Sequence, residues 1–187
     1  MPDERFWTLI DQARAGTSAS ASPERLTALL NQLGEDEVSD FGHTFYENLC
    51  DLNHWRLWGA GYVVAGGMSD DSFHYFRSWI VGKGKQVFDV ARTDPDQLGP
   101  YIDTREVDNE LLEYVAMKIL KRRGIEEDPG IVRVAAPTTN LKGSLLRKTT
   151  RLWLFRSSPR YSNSCGRPVV RPYPAPRFPA SLFATNS

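Results

Sequence analysis

The sequence predicts an all-α fold, a compact bundle of about six or seven short helices over residues 1–130. A basic, irregular or disordered tail is expected to follow over residues 131–187. Three observations support this prediction. Apolar residues recur at helical spacing in successive segments. Capping residues, prolines and glycines bound these segments. Strands alternating with helices, as a parallel sheet requires, are missing from the pattern.

The first three helices are predicted by their end signals. The first covers residues 3–14, with Asp3 as a favourable N-cap. After a flexible connector, Ser22 and Pro23 start the second helix, and Gly34 ends it. Three acids, residues 35–37, start the third and interact favourably with its dipole. Their apolar faces are Phe6, Leu9, Ile10 and Ala13; Leu26, Leu29, Leu30 and Leu33; and Val38, Phe41, Phe45, Leu49 and Leu52.

Two helices are predicted in the middle of the chain. Residues 55–65, WRLWGAGYVVA, are apolar nearly all round, which favours a buried central helix, with a buried strand as the alternative. Ser69 then caps a helix through Gly82 that carries Phe73, Phe76 and Ile80 on its inner face. This segment, residues 55–80, is expected to form the centre of the domain.

The last two helices follow Gly84. A short one covers residues 86–91 and is closed by Asp94-Pro95. The final helix covers residues 107–123, with acids at its start and bases at its end. Its inward face is predicted to be Val107, Leu111, Val115 and Ile119.

Charge divides the chain. Residues 1–130 contain 13 Lys and Arg and all 23 Asp and Glu, whereas residues 131–187 contain 10 basic residues and no acid. Such asymmetry is typical of a tail that behaves differently from the body. Three interpretations of the tail stay open: a basic arm that binds nucleic acid or an anionic membrane surface, an unstructured extension, or translation out of the original frame.

Cysteine usage and apolar runs predict a cytoplasmic protein. Cys50 and Cys165 form no CxxC motif, so neither a disulfide framework nor a zinc site is expected. The first residues, MPDERFW, are acidic where a signal peptide is basic. The longest apolar run, residues 59–68, is about half the length needed to span a bilayer, so no membrane association is expected.

Asp70, Asp71 and His74 form an acid–histidine cluster on one helical face. Two carboxylates and an imidazole can hold a divalent cation or transfer a proton. The alternative is structural: Ser69 caps the helix, the aspartates interact with its dipole, and His74 is a surface residue. No metal or other cofactor is assigned.

Aromatic residues surround this cluster. Trp58, Tyr62 and Trp79, together with Trp55, Tyr75 and the cation Arg77, can line a groove for a planar or anionic ligand or for a partner peptide. The alternative is an aromatic core in which Arg77 pairs with Asp70 or Asp71. No nucleophilic triad is present, and Cys50 is interpreted as a small buried hydrophobe.

The segment WGAGYVVAGGMSDDSFHYFRSWIVGKGKQVFDVA, residues 58–91, resembles the signature of a bacterial family, domain of unknown function 4240. FWTLIDQAR and LLEYVAMKILKRRG fall where that family has its first and last helices. The resemblance covers about residues 3–128 and does not include the tail. It implies a small helical bacterial domain, and it supplies neither an activity nor catalytic residues. The matching positions are Trp58, Ala60, Tyr62, Gly66, Gly67, Ser69, Asp70, Asp71, Phe73, Tyr75, Phe76, Arg77, Trp79, Gly84 and Phe88.

Three functional hypotheses follow. The first is a non-catalytic binding or accessory module with an acidic surface and an aromatic groove for a protein or small ligand. The second is a metal-dependent or acid–base enzyme that uses Asp70, Asp71 and His74. The third is nucleic-acid binding through the basic tail. The identity of the partner and the oligomeric state are not indicated by the sequence.

Overall fold

The computed structural model describes residues 1–125. This part of the chain forms eight α-helices and two 3-10 turns and contains no strand, which confirms the all-α class. The tail and the predicted boundary at residue 130 lie outside the described residues. The helices are α1 (Asp3–Arg14), α2 (Pro23–Leu30), α3 (Glu35–Asp51), α4 (Trp55–Ala65), α5 (Asp70–Gly82), α6 (Lys85–Thr93), α7 (Glu110–Glu113) and α8 (Val115–Arg122), with 3-10 turns at Pro95–Gln97 and Gly99–Tyr101.

The core forms between the apolar faces of α1, α3, α5 and α8. Phe6 of α1 stacks on Phe41 of α3, with ring centroids 4.9 Å apart, and both rings are buried. Phe73, Phe76 and Ile80 of α5 have no exposed surface. Burying an aromatic or large aliphatic side chain contributes about 1.5–3 kcal/mol, so this set stabilises the helices far more than their intrinsic propensities do.

The helix over residues 55–65 is confirmed, but its predicted central position is wrong. Only Leu57 and Gly61 of α4 are buried, and the helix packs at the edge, against α5 and the turn Pro95–Gln97. The helix that carries Phe76 is the central one. A helix that is apolar all round signals a tendency to be buried, yet the sequence does not say which of two adjacent apolar helices the others enclose.

The final helix begins later than predicted and is divided in two. Tyr114, with φ −87° and ψ −2°, separates α7 from α8. Before α7, the backbone N–H of Asn109 donates to the carbonyl of Tyr75 at 3.2 Å, which holds the chain in a non-helical course. The predicted inward face is therefore broken: Val107 and Val115 are buried, whereas Leu111 is 53% exposed.

Lys83, at the end of α5, holds the loops around it. Its ammonium donates to the carbonyl of Ser18 at 2.5 Å and to Asp103 at 3.0 Å, and it lies 4.9 Å from the Trp79 ring centroid. The connector after α1 also contacts α5 through its backbone, with the N–H of Ala21 donating to the carbonyl of Gly82 at 2.8 Å. These hydrogen bonds connect residues 18 and 21 to the end of α5, and the flexibility of the connector stays a prediction.

Candidate functional site

The first turn of α5 is a capping box. Ser69 Oγ accepts a hydrogen bond from the N–H of Ser72 at 3.1 Å, and Ser72 Oγ accepts one from the N–H of Ser69 at 2.7 Å. Asp70 and Asp71 follow in the same turn, and both are exposed. Their carboxylates are positioned to interact with the positive end of the helix dipole. This geometry corresponds to the structural alternative for the two aspartates.

His74 is part-buried, whereas the structural alternative predicted a surface residue at this position. Its Nε2 contacts the carboxylate of Glu113, and its Nδ1 lies 2.9 Å from a terminal nitrogen of Arg77. A guanidinium group only donates hydrogen bonds, so Nδ1 must be the acceptor. The ring hydrogen then lies on Nε2 and is donated to Glu113. Both nitrogens of the imidazole are therefore occupied within the protein.

Arg77 points into the domain and not toward the aspartates of its own helix. It is 3% exposed, and it donates to the carbonyl of Leu49 in α3 at 3.0 Å. Its guanidinium carbon lies 4.9 Å from the centroid of the Phe73 ring. Burial lowers the pKa of Arg77, and the negative charge of Glu113 opposes that shift. The expected pairing of Arg77 with Asp70 or Asp71 is replaced by the contacts to His74 and Leu49.

Glu113 is the member of this cluster that sequence reasoning missed. Its side chain has no exposed surface, although an unpaired acid is rarely buried. Its Oε1 and the Nε of Arg77 make no hydrogen bond to a described residue. The sequence does offer one signal, since Glu113 is an acid within the largely apolar run of residues 111–116. The predicted start of the final helix at residue 107 obscured this signal. We call His74, Arg77 and Glu113 the buried triad.

Trp79 lies on a different side of α5 from the triad. Residues 74 and 77 are three apart and share one side of the helix, whereas residue 79 is about 160° away from residue 77 around the axis. Trp79 is buried and stacks on Phe76, with centroids 6.0 Å apart. Phe76 in turn meets α4 at Gly61, where an added Cβ would lie 2.8 Å from the phenyl ring. The seven predicted site residues thus occupy four separate places: the first turn of α5, the buried triad, the Trp79 side of α5 and the surface of α4.

The fourth place is the surface of α4. Trp58 and Tyr62 stack, with ring centroids 5.4 Å apart and an interplanar angle of 29°. Trp55 meets Trp58 edge to face at 5.9 Å. All three side chains are half-buried. We call Trp55, Trp58 and Tyr62 the aromatic face of α4.

Carboxylates lie at both ends of α4, which itself contains no acid. Arg56 near its start donates to Asp94 at 2.6 Å and to Asp96 at 3.1 Å. One guanidinium therefore faces two carboxylates. Beyond the other end, Asp70 and Asp71 follow the last residue of α4 by five and six positions and are exposed.

Within residues 1–125, no group of three or more His, Cys, Asp and Glu side chains is arranged to hold a metal ion. None of the helices in this part is long and apolar enough to cross a membrane. Cys50 is a half-buried free thiol.

The fold and this site define a small helical domain with a buried polar triad and an aromatic helix at its edge. The sequence profile of a family described as a protein of unknown function, DUF4240, matches residues 1–122, and the chain belongs to this family. No curated protein and no solved structure matches the chain.

Proposed function

We propose that this domain is a non-catalytic binding module that recognises a cationic, apolar segment of a protein partner through the aromatic face of α4. The observation that carries the proposal is the half-exposure of a helix whose residues are almost all apolar. A helix of this composition is ordinarily enclosed by its own domain. Large aromatic side chains at a surface are the residue types that contribute most to protein interfaces.

Gly59 supports the same conclusion. It lies within α4 between the aromatic residues, and an added Cβ would have no neighbour within 4 Å. A glycine inside a helix destabilises it by about 0.5–1 kcal/mol relative to alanine. Because the packing of the described domain does not require a glycine here, close approach of another chain is a sufficient reason for it.

The charges around α4 favour a cationic partner. Arg56 compensates for one of the two aspartates at its end of the helix, and Asp70 and Asp71 add two negative charges beyond the other end. The described body as a whole contains 20 Asp and Glu and 13 Lys and Arg. Complementary charge would speed association and orient the partner, while the aromatic face would supply the affinity.

The enzyme hypothesis has less support. The imidazole of His74 has both nitrogens engaged by Arg77 and Glu113, so neither is available to a substrate. Asp70 and Asp71 lie exposed in the first turn of α5, where the helix dipole accounts for them without a catalytic role. The nucleic-acid hypothesis depends on residues 131–187, which lie outside the described part of the chain. A cytoplasmic location remains our proposal and is supported by the free thiol of Cys50.

A designed peptide can test the proposal without a known partner. A helical peptide of about 18 residues, with leucine on one face and lysine on the other, is titrated into the isotopically labelled full chain. We expect saturable shifts of the backbone amides of residues 55–65. A peptide with the same lysines and serine in place of leucine should bind at least about tenfold more weakly.

The matched variants are Trp58→Ala/Tyr62→Ala and, as a control, Met117→Ala. Met117 is 38% exposed on α8, outside the aromatic face. We expect the double variant to weaken binding of the leucine–lysine peptide at least about tenfold and the control to leave it unchanged. Equal binding by both variants, with folded circular-dichroism spectra, would exclude α4 as the binding face.

A further inference from the structure

A shallow groove of about 170 Å³ lies between α2 and the last two helices. One wall is formed by α2, and the other by α7 and α8. None of the lining residues belongs to α4 or to the buried triad. The lining residues are Pro23, Glu24, Thr27, Leu111, Val115, Lys118 and Arg122.

Leu111 gives this groove an apolar centre. It is 53% exposed, the highest exposure of any large hydrophobic residue in the described chain. Leu111 lies in α7, before the helix break at Tyr114, and is exposed, whereas Val115 after the break joins the core. Pro23 and Thr27 face it from α2. An exposed leucine within a concave, partly apolar surface is typical of a site that receives an apolar side chain.

Two cations lie along the α8 wall. Lys118 and Arg122 are four residues apart, which places them about 6 Å apart along the helix axis. Within the described residues neither forms an ion pair: Arg122 Nε donates to the carbonyl of Lys118 at 3.2 Å, and Lys118 Nζ lies 5.7 Å from the Tyr114 ring centroid.

Glu24 places a negative charge on the α2 wall of the groove. Its carboxylate accepts a hydrogen bond from Ser22 Oγ at 2.6 Å, at the start of α2. An anionic group in the groove is repelled from this wall and attracted to the α8 wall. The groove therefore selects for negative charge on one side and for an apolar side chain at its centre.

We propose that this groove binds an acidic amphipathic segment of another protein, in which a leucine-like side chain contacts Leu111 and two carboxylates one helical turn apart pair with Lys118 and Arg122. The spacing of the two cations matches carboxylates at positions i and i+4 of a partner helix. This surface is separate from the aromatic face of α4 and has the opposite charge preference. The domain would then connect two partners of unlike charge.

The experiment uses the full chain and a designed helical peptide that carries one leucine beside two glutamates four residues apart. At about 0.15 M salt, contacts beyond roughly 8 Å are screened. We expect saturable binding with amide shifts in α2 and α8. A peptide with serine in place of the leucine should bind about tenfold more weakly, because it lacks the apolar contact.

Lys118→Glu and Lys121→Glu form a matched pair, since both lysines are exposed on α8 and only Lys118 lines the groove. We expect Lys118→Glu to weaken binding about tenfold and Lys121→Glu to change it by less than about threefold. Leu111→Ser should also weaken binding, with an unchanged circular-dichroism spectrum. Trp58→Ala/Tyr62→Ala should bind this peptide normally, so failure of the α4 proposal would not affect this one.

Three results would overturn the proposal. Absence of saturable binding would show that the groove does not accept an acidic segment. Equal losses of peptide binding in Lys118→Glu and Lys121→Glu would show that the peptide responds to the overall charge of the domain and not to the groove. Self-association of the chain that Lys118→Glu abolishes would assign the groove to a second copy.

Discussion

The imidazole of His74 in α5 donates its Nε2 hydrogen to the carboxylate of Glu113 in α7, 39 residues further along the chain. On its other side the same ring accepts a hydrogen bond from Arg77, which is bonded to α3 through Leu49. The buried triad therefore joins three helices through polar contacts inside an apolar core. Removal of one member takes a partner from each residue that it contacts, which is costly in a buried polar network.

Glu113→Gln should lower the free energy of unfolding by about 1–3 kcal/mol, because His74 loses a charged acceptor and the buried guanidinium of Arg77 loses the negative charge near it. Urea denaturation followed by circular dichroism measures this change. The control is Glu106→Gln, an exposed position before α7, which we expect to change stability by less than about 0.5 kcal/mol. If the two variants lose the same free energy of unfolding, Glu113 contributes no more to stability than an exposed acid does.

Gly82→Ala should destabilise the domain by about 1–3 kcal/mol, because the fold leaves no space for a methyl group there. An added Cβ would lie 2.1 Å from Ser20 Oγ and 3.2 Å from the backbone nitrogen of Ala21. That loop is held by the hydrogen bond from Ser20 Oγ to the carbonyl of Trp79. Thermal unfolding checks the prediction. A variant as stable as the parent would show that residues 20 and 21 can move to accept the methyl group without a loss of stability.

Trp58→Ala should destabilise the domain by only about 1–2 kcal/mol, since the ring is half-buried at the edge of the core. Phe76→Ala is the comparison: this ring is fully buried, and its removal should destabilise by about 3–5 kcal/mol. Chemical denaturation of both variants gives the difference. Equal losses of unfolding free energy in the two variants would show that α4 is as central to the domain as α5.

Acid should remove one contribution to stability at Asp103. Burial opposes the shift, but hydrogen bonds from Lys83 and Ser18 outweigh it and hold the pKa of this carboxyl below its ordinary value. The stabilisation is therefore fully present above the unfolded pKa of about 3.9 and is lost as pH falls through the lower folded pKa. Asp103→Asn should be less stable than the parent at neutral pH, and the gap should close below about pH 4. A gap that persists into acid, or one matched by the exposed Asp108→Asn, would contradict this assignment.

The sequence predicted the helices but not the way in which they meet. The capping signals at Ser22 and Ser69 located α2 and α5, because a cap depends on residues only a few positions away. The partnership of His74 with Glu113 depends on tertiary packing across 39 residues, which no local pattern contains. The exposure of Leu111 accompanies a division of the last helix at Tyr114, and the backbone contact from Asn109 to Tyr75 that precedes α7 is equally outside any local pattern. The domain boundary at residue 130 remains a prediction.

Several candidate site residues that lie close together in the sequence are separated in the fold. Asp70, Arg77 and Trp79 lie within three helical turns of one another in the sequence, yet they face solvent, α3 and Lys83 respectively. Spacing along one helix gives the direction of each side chain but not the neighbour that it meets. The aromatic face of α4 was recognised from residue type, whereas its exposure required the fold.

The most direct test of the central claim uses Gly59, where stability and binding should change in opposite directions. In Gly59→Gln, a good helix former replaces glycine at an open position of α4, so the melting temperature should stay the same or rise. The longer side chain would prevent close approach to the aromatic face, and binding of the leucine–lysine peptide should weaken at least about tenfold. A stable variant that binds the peptide as tightly as the parent would contradict the assignment of α4 as the binding surface.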